Sequence, residues 1–169
     1  CDFAWFVRNG ANVPNAAAAM SNLLFLANGI YQAELDIRFV ITTILVRTFP
    51  VYTSGPDLGC GATAGLLQEF QARWLTNHRD IQRDVAHLFS GDGVFNGTIG
   101  CASIGTVCAA AGFGASRAIS ANLLQNLQLV AHEIGHNWSA THCDARPPCN
   151  IMCAALGGCS GVATSFSQS

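Results

Sequence analysis

The chain contains no lysine, and its eight basic residues are arginines scattered from Arg8 to Arg146. Charged residues of either sign make up only 11%, and the net charge is −2. With no basic patch, electrostatics point away from nucleic acid and from anionic membrane surfaces as partners. Internal repeats and low-complexity linkers are absent, which excludes solenoid and linker architectures. A membrane span is absent too. Residues 9–33 carry no charge, yet they hold several asparagines, Pro14 and Gly29. They read as a buried or amphipathic helix. Finally, no C-x-x-C pair occurs among the cysteines, which argues against a cysteine-ligated metal site.

What is present is a chain of 169 residues, half of them apolar, enough for one domain with a sizeable core. Eight cysteines exceed what a cytosolic protein of this size usually carries. The even count suggests four disulfides and an oxidising, extracellular compartment. The chain begins at Cys1 with neither methionine nor signal peptide, as expected of a mature or excised domain. Asn96-Gly97-Thr98 is an N-glycosylation sequon, usable where the host glycosylates.

Along the chain, Asp2-Phe3-Ala4-Trp5-Phe6-Val7-Arg8 is aromatic and β-branched and predicts a first strand. Pro14 opens a helix that runs to about Ala33. The β-branched run Asp36 to Arg47 predicts a long second strand, so that strand, helix and strand form a right-handed crossover with a parallel pair. A loop runs from Phe49 to Gly61, then a helix over 62–77 with Leu66, Leu67, Phe70 and Trp74 at helical spacing. Val85 to Ser90 and Phe113 to Ser120 read as strands, and Ser120 is placed to cap the next helix. His87 and His78 read as a satisfied or solvent-facing histidine and a surface histidine, not as ligands. Cys101 and Cys108 lie close enough to bridge. Cys143, Cys149, Cys153 and Cys159 crowd together and allow two bridges in any of three pairings. Cys1 and Cys60 then remain as a pair by elimination.

The most informative stretch is His132-Glu133-Ile134-Gly135-His136, with His142 six residues further on. The apolar run from Leu123 to Ala131 supplies a helix to carry it. Residues four apart share a helix face, so His132 and His136 aim two imidazoles at one point. The helix must then end and turn for His142 to join them. Three neutral imidazoles hold a zinc ion and leave its fourth tetrahedral position open. Glu133, one residue along, is placed to act as general base. A zinc site completed by a carboxylate would need an acidic residue downstream in place of His142. No glutamate comes after Glu133, and Asp144 is the only aspartate that does, so this alternative fails.

The stretch resembles the metzincin signature H-E-x-x-H-x-x-G-x-x-H, which a downstream methionine turn completes. Cys149-Asn150-Ile151-Met152-Cys153 is similar to that turn, with Met152 as its methionine. Gly157-Gly158-Cys159-Ser160 and Phe166 to Ser169 resemble the segment after that turn in the adamalysin/reprolysin branch, whose members are extracellular zinc endopeptidases. The resemblance is strong from His132 to Gly158 and only topological before that. One position departs from the pattern: the family's glycine is Ser139 here. Glycine there turns the chain at positive φ, which costs another residue roughly 1–2 kcal/mol. Either Ser139 bears that conformation or Asn137 takes over part of the turn.

The resemblance implies an α/β metzincin-like zincin fold: a mixed, mostly parallel sheet packed on helices, with an irregular disulfide-rich C-terminal part. It implies one catalytic domain over 1–169, with an N-terminal subdomain (1–142) and a short C-terminal one (143–169). His132, His136 and His142 would be the metal ligands, Glu133 the catalytic base, and Met152 a structural residue packed beneath the zinc. Residues 98–108 would supply an antiparallel edge strand above the cleft, able to pair with an extended peptide substrate. Ala154, Ala155 and Leu156 would give the specificity pocket an apolar wall, and a C-terminal helix would begin near Phe166. Calcium is allowed by family analogy, but the sequence offers no acidic cluster for it. The expected function is therefore that of a secreted, monomeric zinc endopeptidase. The alternative is a zinc-bearing protein-binding module that has lost turnover, against which the intact Glu133 argues.

Overall fold

The computed structural model describes residues 1–55, 57–61, 64–94, 96–145, 150–157 and 165–166. Cys149, Gly158, Cys159, Ser160 and the stretch beyond Phe166 lie outside the described residues. The elements run α1 (Phe3–Arg8), α2 (Val13–Leu35), α3 (Leu66–Asn77), β1 (Ala86–Ser90), β2 (Gly100–Ala102), β3 (Phe113–Arg117) and α4 (Leu123–Asn137).

The helix that begins near Pro14 forms where the sequence places it. Asn12 caps α2 by accepting a hydrogen bond from Asn15 N at 3.0 Å. Its buried residues, Ala16, Met20, Leu23, Ala27 and Tyr31, recur every three or four positions and make one stripe. Burying side chains such as Met20 and Leu23 contributes about 1.5–3 kcal/mol each. The helix stops at Asp36, which adopts the left-handed conformation at φ 54°.

The first segment corrects the sequence expectation. Residues 3–8 form a helix and not a strand, because Asp2 accepts from Trp5 N at 2.7 Å and caps it. The Trp5 indole N–H then donates to Ala16 O at 3.2 Å and fastens α1 to α2. Strand preference of aromatic residues yields to such tertiary contacts.

The run from Asp36 to Arg47 is likewise not a strand. It makes no ladder with any described strand, and Val40, Ile41 and Ile44 remain exposed. It is held instead by Phe39 N donating to the Asn28 side chain at 2.6 Å and by Phe39 packing on Tyr31. Together with the residues of β1 it lines a cavity of about 1000 Å³. The crossover pair expected from these two segments is therefore absent.

The sheet is mixed, in the order β1-β3-β2. β1 and β3 are parallel, with Ala86 opposite Phe113. β2 runs antiparallel to β3 along the edge, with Gly100 opposite Ser116 and Ala102 opposite Gly114. Helices cover both faces, so β3 is buried at every residue. On one face Leu88, Phe113 and Ala115 pack with Leu66, Leu67 and Phe70 of α3. On the other Phe89 joins α1, α2 and α4 in a second cluster around Tyr31, Ala131 and Met152. Successive strand residues point to opposite faces, which is how Leu88 and Phe89 serve different cores. The result is the α/β architecture that the resemblance implies.

Two of the expected disulfides are overturned. Cys101 pairs with Cys60, not Cys108, at a Cα–Cα distance of 5.6 Å. Cys1 and Cys108 are free thiols, so Cys1–Cys60 does not form either. Nearness in sequence misleads because Cys101 is buried in the cluster under α3, whereas the Cys108 thiol turns outward to Asp84 Oδ1 at 3.2 Å. Closing the Cys60–Cys101 loop, a separation of 41 residues, removes roughly 4 kcal/mol of unfolded-chain entropy. Cys143 and Cys153 are both disulfide-bonded. Peptide mapping of the unreduced protein should recover Cys60 linked to Cys101, and a thiol reagent should label Cys108 without denaturant. Recovery of a Cys101–Cys108 peptide would contradict the structure.

The end of α4 settles which residue makes the turn. Asn137 is the last helical residue, Trp138 caps it at φ −88°, and Ser139 lies at φ +74°. Ala140 N then donates back to Gly135 O at 3.0 Å and closes the helix. Ser139 thus occupies the left-handed position that glycine favours. Ser139→Gly should raise stability by about 1 kcal/mol, a melting temperature some 2–4 °C higher for a domain of this size, with both proteins in the same metal state. A lower melting temperature for the glycine variant would show that the position carries no strain.

Candidate active site

α4 is the element from which the site is built. Its N-cap is Asn122, whose side chain accepts from Leu124 N at 2.9 Å. Ser120 is not the cap expected from sequence; its hydroxyl instead accepts from Asn122 N at 2.9 Å. From Leu127 to Asn137 every residue of the helix is buried, so its polar side chains all need an internal role.

His132 and His136 lie on one face, and the turn at Ser139 brings His142 to them. The ring centroids are 4.6 Å apart for His132–His136, 5.1 Å for His132–His142 and 5.0 Å for His136–His142. One ligand nitrogen from each falls within 4.8 Å of the others. His132 and His136 are buried and His142 is exposed, so the cluster opens to solvent on the His142 side.

Hydrogen bonds orient two of the rings. His132 Nδ1 lies 2.7 Å from Ile151 O, and His136 Nδ1 lies 2.7 Å from Ala140 O. A carbonyl only accepts, so each Nδ1 carries the proton and each Nε2 presents a lone pair to the cluster. Burial lowers the His132 pKa to about 4, the neighbouring His136 and His142 add to this, and the Ile151 carbonyl opposes it. Burial lowers the His136 pKa as well. Both are held neutral, the form that binds metals. His132 Nε2 and His142 Nε2 are 3.2 Å apart. Ligands 2.0–2.1 Å from a tetrahedral ion stand about 3.3 Å from each other. The donor set therefore fits a divalent cation with imidazole preference.

Glu133 is 3% exposed, and its Oε2 has no hydrogen-bond partner. Burial raises its pKa well above the usual carboxylate range. The carboxyl end lies against Gly100 of β2. A buried carboxyl with a perturbed pKa beside a metal-ligand cluster marks Glu133 as a candidate functional group. Met152 is buried against the opposite side of the helix. A side chain at Gly135 would come within 2.8 Å of its sulfur and 3.3 Å of the Tyr31 hydroxyl, so Gly135 is what lets Met152 approach. Tyr31 in turn donates to Ala131 O at 2.7 Å.

His78 and His87, read from the sequence as non-ligands, are not part of the histidine cluster. His87 is half-buried on β1, its Nε2 is 2.9 Å from Ser116 Oγ, and desolvation lowers its pKa to about 3. His78 is 2.9 Å from an Arg47 guanidinium nitrogen. Ala154 and Ala155 are exposed and Leu156 is half-buried.

Sequence reasoning weighed Asn137 only for the turn and missed its hydrogen bonds. It is fully buried and donates from Nδ2 to Ser103 O at 2.9 Å, Phe113 O at 3.1 Å and Thr106 Oγ1 at 3.3 Å. The loop after β2 reciprocates: Gly105 N donates to His136 O, and Thr106 N and Val107 N donate to Asn137 O. These bonds satisfy carbonyls that the end of a helix leaves free and lock β2 to the histidine-bearing turn. Nothing local in the sequence signals them, because the partners lie 24–34 residues away.

Comparison with known proteins agrees with this geometry. Residues 17–143 match the family described as metallo-peptidase family M12B, reprolysin-like. Human disintegrin and metalloproteinase domain-containing protein 9 is 30% identical over 137 residues, which cover 78% of this chain and 16% of that protein. The chain thus spans about a sixth of the relative's length. The family match reaches from within α2 past the three histidines, and those histidines converge in space; the chain belongs to the M12B reprolysin-like metallopeptidases.

Proposed function

We propose that the protein is a secreted zinc endopeptidase in which His132, His136 and His142 hold the metal and Glu133 is the general base. The observation that carries this reading is the convergence of three imidazoles beside a buried carboxyl whose Oε2 has no hydrogen-bond partner. When bound, zinc supplies Lewis acidity, lowering the pKa of a water and polarising a carbonyl. Glu133 takes the proton of the attacking water and delivers it to the amine nitrogen that leaves. Burial raises the proton affinity of the carboxyl, the direction that makes a carboxylate a stronger base. Among the described residues β2 is an edge strand, and an extended peptide laid along it would gain backbone hydrogen bonds. The disulfides support an oxidising, extracellular location. No helix among the described residues is long and apolar enough to cross a membrane.

Metal analysis of the purified protein should find one zinc per chain, and His132→Ala or His142→Ala should lose it. A protein purified without zinc that also fails to bind it on titration would contradict the assignment. Glu133→Ala should lower peptide cleavage by about 10²–10⁴ while the zinc stays bound. Cleavage at the parent's rate would remove Glu133 from the mechanism.

A further inference from the structure

We infer that Gly100 is a positioning residue for the Glu133 carboxyl: β2 is kept free of a side chain at this position so that the carboxyl can lie against the strand backbone. A Cβ at Gly100 would strike the end of the Glu133 side chain, and its three nearest atoms are all from that residue, Oε1 with Cδ at 2.6 Å and Cγ at 2.8 Å. Backbone conformation does not explain the glycine. Gly97 and Gly105, on either side, turn at φ +76° and +67°, whereas Gly100 lies outside the left-handed region and accepts a side chain as far as its backbone is concerned. What excludes the side chain is Glu133.

Of the two partners, the strand is the less able to give way. Glu133 is buried within α4. β2 is held from three directions. Cys101 is bonded to Cys60, Arg117 N donates to Ile99 O at 2.9 Å, and the loop from Gly105 to Val107 is hydrogen-bonded to the end of α4. An added methyl group therefore displaces the carboxyl, the end of a flexible side chain, before it displaces the strand. The consequence for chemistry rests on the proposed role of Glu133 as base. A reacting group misplaced by 1 Å costs on the order of 10²-fold in rate.

The test uses the full chain with Gly100→Ala in two backgrounds. In the parent, kcat should fall on the order of 10²-fold while KM and bound zinc hold. The methyl should also lower the melting temperature in the parent and fail to do so in Glu133→Ala, where the space it needs has been vacated. Parental kcat in Gly100→Ala, a loss expressed in KM alone, or an equal melting shift in both backgrounds would each overturn the inference. If the parent cleaves no peptide, the proposed activity fails, and the paired melting comparison still decides whether Gly100 makes room for Glu133.

Discussion

Two carbonyl oxygens set the terms for the whole site. A ring nitrogen can offer a lone pair to a metal only if the proton sits on the other nitrogen, and here Ile151 O and Ala140 O hold those protons on His132 and His136. Neither carbonyl belongs to the helix that carries the histidines. Both come from chain downstream of it, so the helix must end directly after His136 and the chain must double back beneath it. Ser139 at positive φ is the first consequence, and the buried placement of Ile151 and Met152 under α4 is the second. Cys143 N donating to Met152 O at 3.2 Å ties the returning segments together.

Once the helix is committed to ending there, its last carbonyls need partners in a buried setting. They find them in the loop after β2, with Asn137 bonding the same loop and β3 from the other direction. The edge strand and the histidine cluster thus become one rigid unit. Its position is fixed from behind by Tyr31, which bonds the helix backbone at Ala131 and packs edge-on against Phe166. Absent side chains matter as much as present ones. Gly135 admits the methionine sulfur on one side of α4, and Gly100 admits the Glu133 carboxyl on another.

How far this is legible in the sequence depends on the range of the interactions concerned. The helix opened by Pro14 and the four-residue spacing of His132 and His136 are local, and they read correctly from residues alone. Residues 3–8 and 36–47 misread because strand propensity is a statement about neighbours that the sequence does not name. Asp2 decides the first by capping a helix, and the second finds no ladder partner among the described strands. Cysteine pairing fails for the same reason: Cys60 and Cys101 meet only because α3 packs on the sheet. Asn137 and Gly100 draw their meaning entirely from residues far along the chain, so no local pattern announces them.

The serine at the turn shows how such a site tolerates local cost. A non-glycine residue in the left-handed region gives up roughly 1–2 kcal/mol, against a net stability of about 5–15 kcal/mol for a typical domain. The conformation persists because it is over-determined. Ser139 N donates to His136 O at 2.9 Å, Ala140 N to Gly135 O at 3.0 Å, and Ala140 O is itself fixed by the His136 ring. Relaxing Ser139 into the ordinary region would break all three bonds and release the ring that the cluster depends on. The strain is therefore smaller than the cost of removing it by any route except changing the residue. This is why a position where the signature has glycine can carry a serine while the three histidines still converge.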